Sequence, residues 1–78
     1  MQLPANVWVP VAQIPKDTAS AVYTLVITSG NPTFEISADG GVSSVSLPEA
    51  AVGAGAAIDL ILAREISIRA SASGAQLV

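Results

Sequence analysis

The chain has 78 residues, 51% of them apolar and 12% charged, with three Lys or Arg against six Asp or Glu, no His and no Cys. That length fits one small domain, and the composition excludes disulfides, imidazole bases, thiol nucleophiles and the commonest zinc ligands. A net charge of −3 leaves only Lys16, Arg64 and Arg69 to neutralise phosphate, which argues against nucleic acid as a partner.

The first fifteen residues carry Pro4, Pro10 and Pro15. Each proline lacks a donor for a strand ladder and pushes its predecessor toward extended geometry, so residues 1–15 read as an extended arm ahead of a single domain over 16–78. No basic region or continuous apolar run opens the chain, so no secretory leader is read. Within the arm Val7, Val9 and Val11 share one parity, which fits either a short edge strand or an arm laid across a neighbour. Trp8 has two readings, a lid over the domain's own core or an anchor in a partner's pocket.

Residues 21–28, AVYTLVIT, are dense in β-branched and aromatic side chains and predict a strand with Tyr23, Leu25 and Ile27 on one face. Its other face is also partly apolar, so the strand is central or covered by another chain. SGNP at 29–32 is turn chemistry, and TFEISA after it predicts the second arm of an antiparallel hairpin, with Phe34 and Ile36 inward and Glu35 outward. Asp39-Gly40-Gly41 is the strongest turn signal. A third strand is expected from Val42 to Leu47, where Val42 is out of phase and predicts a bulge near Ser43.

Pro48 ends that strand. Glu49 to Val52 have a helical tint that Gly53 and Gly55 oppose, predicting a loop with one turn. Residues 50–63 form the most apolar stretch but fall short of a bilayer span of roughly 20 residues, and no membrane partner is expected. Ile58, Leu60 and Leu62 share parity with Ile66, Ile68 and Ala70 as one bent strand or two strands about a tight turn. Ala75 to Val78 are a terminal strand or a frayed tail. The sum is an all-β fold: a small antiparallel β-sandwich or jelly-roll-like barrel of six or seven short strands with a Pro-containing N-terminal arm.

Chemistry is mostly excluded. Lys16 lacks a serine three residues before it, so no Ser-Lys pair forms. GAGAAI at 53–58 lacks the third glycine of a dinucleotide loop, and Asp39 beside two glycines is turn chemistry in place of a calcium loop. Glu35 reads as a solvated outward position. Asp59, set among large aliphatics, either faces water or pairs with Arg64 or Arg69 at a subunit boundary. No catalytic residue, metal or cofactor is expected.

Charged residues run at half the roughly 25% of an ordinary soluble domain, and a domain this small hides only about 60% of its unfolded surface. With 26 large apolar side chains and 14 Ala, a subunit of something larger is favoured over a free-standing enzyme. The expected contact residues are Val7, Trp8, Val9 and Ile14 in an arm crossing to a neighbour, with Asp59, Arg64 and Arg69 at its boundary.

The order of segments YTLVITSG, FEISADGG, SLPEA and AIDLILAREISIRAS resembles small β-sandwich structural proteins of tailed-phage virions, over roughly Tyr23 to Ser73. The resemblance implies a non-enzymatic capsid decoration (cement) subunit, made in the host cytoplasm and placed on the capsid surface. It implies a homo-oligomer, a trimer, over junctions between major capsid proteins, or else a head-tail or tail accessory piece. A competing reading from another class is a small carbohydrate-binding sandwich, which needs a platform of aromatics when only Trp8, Tyr23 and Phe34 exist. An enzyme built on carboxylates is the third.

Overall fold

The computed structural model describes residues 1–47 and 54–78. The loop with one turn expected at 49–52 lies outside the described residues. Among the described residues eight strands form: β1 (Gln2–Leu3), β2 (Val9–Pro10), β3 (Ser20–Ile27), β4 (Phe34–Ser37), β5 (Val45–Leu47), β6 (Ala57–Ala63), β7 (Ser67–Ala70) and β8 (Ala75–Leu77), with a 3-10 turn at Val11–Gln13. They pair antiparallel in two four-stranded sheets, ordered β1-β8-β3-β6 and β2-β7-β4-β5. The molecule is a small β-sandwich.

Parity decides which side chains meet between the sheets, because successive strand residues point to opposite faces. Tyr23, Leu25 and Ile27 of β3, Phe34 of β4, Ile68 of β7 and Leu77 of β8 are all buried in one cluster. Ile36, Leu60 and Ile66 also face inward but stay half-buried against it. β3 is central, as its two apolar faces imply, with β6 on one flank and β8 on the other.

Three expectations are corrected. The arm does not extend away from the domain: β1 pairs with β8, β2 pairs with β7, and Leu3, Val9 and Val11 are buried in the chain's own core. The chain crosses between the sheets at Asn6, which takes a left-handed φ of 59° while its N–H donates to Ala70 O at 2.7 Å; Asn tolerates that geometry better than most residues. Pro10 sits in an edge strand, where its missing donor is harmless.

The second correction concerns β3 and β4, which do not form a hairpin. Both flanks of β3 are taken, so the Ser29–Pro32 segment carries the chain to the opposite sheet, where β4 pairs with β5 and β7. Third, the ladder of the β4–β5 hairpin starts at Val45. Val42, the out-of-phase residue, remains in the loop and is exposed, so no bulge is needed. Ile66 N–H donates to Ala63 O at 3.0 Å, closing the tight turn that sends β6 and β7 to different sheets. Ala75 and Leu77 are fully buried, so the C-terminal residues are a strand and not a frayed tail.

Gly74 locks two corners together. Its carbonyl accepts from Thr28 N–H at 2.7 Å and Ser29 N–H at 3.2 Å. Its φ is +114°, and a Cβ there would come within 2.5 Å of Ser29 O. Gly74→Ala is therefore expected to cost about 1–3 kcal/mol through backbone strain. Phe34→Ala removes a buried ring and should cost about 3–5 kcal/mol, a large share of the roughly 4–12 kcal/mol available to a chain of this length. Urea unfolding measures both, and a Gly74→Ala protein as stable as the parent would refute the corner contact.

Candidate functional site

The polar groups of the β2-β7-β4-β5 sheet gather in a row across its outer face. Glu35 lies opposite Arg69 in the β4–β7 ladder, and Trp8, one residue before β2, lies level with Arg69 because Val9 is opposite Ile68. Arg69 Cζ sits 4.7 Å from the Trp8 ring centroid, a cation–π distance. Its Nε donates to Glu35 Oε1 at 3.2 Å, and its Nη2 donates to the same oxygen. Ser44 Oγ donates to Glu35 Oε2 at 3.0 Å. This is the only ion pair among the described residues.

The β4–β5 loop is fixed beneath that row. Ser37 Oγ, almost fully buried, donates to Asp39 Oδ1 at 2.7 Å and accepts from Gly41 N–H at 2.9 Å, while Ser43 N–H donates to Asp39 Oδ1 at 2.9 Å. Gly41, at φ +102°, leaves room for the indole: a Cβ would fall 2.5 Å from Trp8 Nε1. Trp8 thus covers its own sheet and loop from outside, half-buried, and does not lid the core between the sheets.

A second polar cluster lines a cleft of about 130 Å³ between Ile14, Pro15, Lys16, Thr18, Tyr23 and Arg64. Lys16 Nζ lies 5.0 Å from the Tyr23 ring centroid, Tyr23 OH donates to Ile14 O at 3.3 Å, and Arg64 Nη2 donates to Thr18 O at 3.4 Å. These contacts tie the link after the 3-10 turn to β3.

The outer face of the β1-β8-β3-β6 sheet is different. Val22 and Ile61 lie opposite each other in the β3–β6 ladder and are 55% and 77% exposed, with Val78 also exposed. Thr24 Oγ1 donates to Asp59 Oδ1 at 2.9 Å, and Gln76 Nε2 donates to Gln2 Oε1 at 3.3 Å. Aliphatics therefore occupy a face that sandwiches usually give to polar residues.

The residues expected to make contact with a neighbour are dispersed. Val9 is buried, and Ile14 is half-buried against the chain's own core. Val7 is exposed. Asp59 faces outward beside Thr24 and is not brought to either arginine; Arg69 pairs with Glu35 instead, across 34 positions. Reading residue by residue missed that pair. Its signal was the matching outward parity of Glu35 between Phe34 and Ile36 and of Arg69 between Ile68 and Ala70.

Among the described residues, Glu35 and Asp39 are each engaged in local hydrogen bonds. Compared with known proteins, the chain matches no family model, no curated protein and no solved structure.

Both committed carboxylates hold their charge more tightly than usual. The Arg69 hydrogen bond, then that of Ser44, lowers the Glu35 pKa; the Ser37 hydroxyl, then the Ser43 N–H, lowers that of Asp39. A group with a depressed folded-state pKa contributes stability that is complete above its unfolded value, about 3.9–4.3 for carboxylates, and disappears as pH falls through the folded value. The urea midpoint is thus expected to hold from pH 7 to about 5 and then fall. In the double variant Glu35→Gln, Asp39→Asn the midpoint should start lower at pH 7 and decline less in acid; an unchanged acid slope would remove these groups as its source.

Proposed function

We propose that this protein is a non-enzymatic structural subunit that works by self-association, of the capsid-decoration kind its segments resemble, bridging junctions between major capsid proteins on a virion surface. The observation that carries the self-association is the aliphatic outer face of the β1-β8-β3-β6 sheet, with Val22 and Ile61 side by side in water. Contiguous exposed apolar surface on a small domain marks an interaction site. Only 12% of the residues are charged, so little else on the surface opposes association.

The virion setting is supported by the resemblance of the strand and turn segments, and a head-tail accessory position draws on the same physics. Each contact in such a lattice is weak, and repetition by symmetry supplies the strength. Carbohydrate binding is less well supported: Tyr23 and Phe34 are buried in the core, and one face of Trp8 already carries Arg69, so the aromatic platform such modules need is missing.

Size-exclusion chromatography with light scattering is expected to give a mass well above 7.8 kDa, and images of the native assembly to place the protein on the outer shell. A sharp monomer that stays monomeric at high concentration would overturn the self-association.

A further inference from the structure

We infer that the outer edge of β6, unpaired among the described residues, pairs antiparallel and about a two-fold axis with β6 of a second copy of this chain, joining two four-stranded sheets into one continuous sheet. The inference deepens the self-association reading and rests on it.

β6 is an edge strand whose described neighbour is β3 alone. Ile27 N–H donates to Ala56 O and Arg64 N–H to Ala19 O, which sets the phase of the ladder: even-numbered residues of β6 aim their backbone groups at β3. Odd-numbered residues of an antiparallel strand then aim theirs the opposite way. Ala57, Asp59 and Ile61 thus present N–H and C=O groups to the outside, as does the N–H of Ala63, whose carbonyl already accepts from Ile66.

Long, flat, apolar edges are templates for another strand, and proteins blunt them by shortness, proline, lysine or bulges. The other sheet edges are blunted: β1 and β2 have two residues each, β2 contains Pro10, and β5 has three residues. β6 has seven, AIDLILA, with no proline, lysine or glycine.

The occupant is named by the sequence of β6 itself, which reads nearly the same in both directions. Centring the pair on Leu60 places Ala57 opposite Ala63, Ile58 opposite Leu62 and Leu60 opposite Leu60. Asp59 and Ile61 then exchange backbone hydrogen bonds with Ile61 and Asp59 of the second copy, through the groups that point outward. Sliding the register two residues one way sets Asp59 against Asp59, a like-charge pair that destabilises; sliding it the other way shortens the overlap. The centred register also extends the inward row of Ile58, Leu60 and Leu62, of which the first two are only half-buried. An isologous pair uses the same edge on both copies, so it closes and does not run on into a fibre.

Light scattering separates the outcomes. The parent protein is expected at twice 7.8 kDa or an even multiple. Ile61→Pro removes a donor that β3 does not use, and Ile61→Asp sets a carboxylate directly against Asp59 of the second copy, twice over by the two-fold axis, a like-charge pairing that destabilises; each should halve the smallest assembly while leaving the fold's circular dichroism unchanged. Val22→Lys, on the same face but one strand inside, should leave the two-subunit unit intact and act only on larger multiples built through the outer face. Leu60→Cys, in a chain with no other cysteine, should give a disulfide-linked dimer on oxidation, because directly opposite residues in a non-hydrogen-bonded pair lie within bridging distance. A three-subunit mass, an assembly indifferent to both Ile61 variants, or a two-subunit unit split by Val22→Lys would overturn the edge pair and leave self-association standing. A monomer at every concentration would overturn self-association itself.

Discussion

Met1 and Leu77, 76 positions apart, are held together by two hydrogen bonds: the N-terminal ammonium donates to Leu77 O, and Leu77 N–H donates to Met1 O. The pairing of the chain ends places Leu3 and Leu77 in adjacent strands, both fully buried, with Ala75 beside them. A domain this small hides too little surface for any strand to be spared, and β1 and β8 both give side chains to the core. The rest depends on that closure. Once β8 lies against β3, β3 has a neighbour on each flank, β4 is driven to the opposite sheet, and the outward row of Trp8, Arg69 and Glu35 can assemble across β2, β7 and β4.

Much of this was legible in local parity. Tyr23, Leu25 and Ile27 on one face, Phe34 facing in and Glu35 facing out, and the Asp39-Gly40-Gly41 turn all follow from period-two alternation and turn chemistry. Pairing between strands was not legible, because it is set by contacts between distant segments. The Ser29–Pro32 turn looks the same whether it returns the chain to the same sheet or carries it to the facing one; the choice depends on β6 and β8, which begin at Ala57 and Ala75, far downstream. The prolines of the first fifteen residues misled for a related reason. They forbid a central strand, yet they permit the short edge pieces β1 and β2, which bury Leu3 and Val9, and the 3-10 turn after them, which buries Val11.

The candidate site shows the same division. That Glu35 and Arg69 face outward was readable one residue at a time, whereas their contact required the β4–β7 register. Arg69, thus engaged, is unavailable to Asp59, and Lys16 and Arg64 lie together by Tyr23 on another part of the surface. With the three cations placed at those two spots, none stands over the Val22–Ile61 strip. Scarcity of charge thus becomes a position: one face has ion pairing and stacked polar groups, while the other has aliphatics, a single carboxylate and two glutamines.

The apolar excess of β6 arises from the same economy of length. A strand of seven residues with aliphatics on both faces is suited to the middle of a sheet, where neighbours cover both edges. Here it stands at the end, because β1 and β8 lie on the far side of β3, and the short β5 edge belongs to the facing sheet. Adding a ninth strand would complete it, and a second copy of β6 has the same length, the same row of aliphatics and backbone groups in the matching phase. Association of identical chains can therefore give β6 what its composition already fits, a central place, without lengthening a domain whose every described strand is already committed.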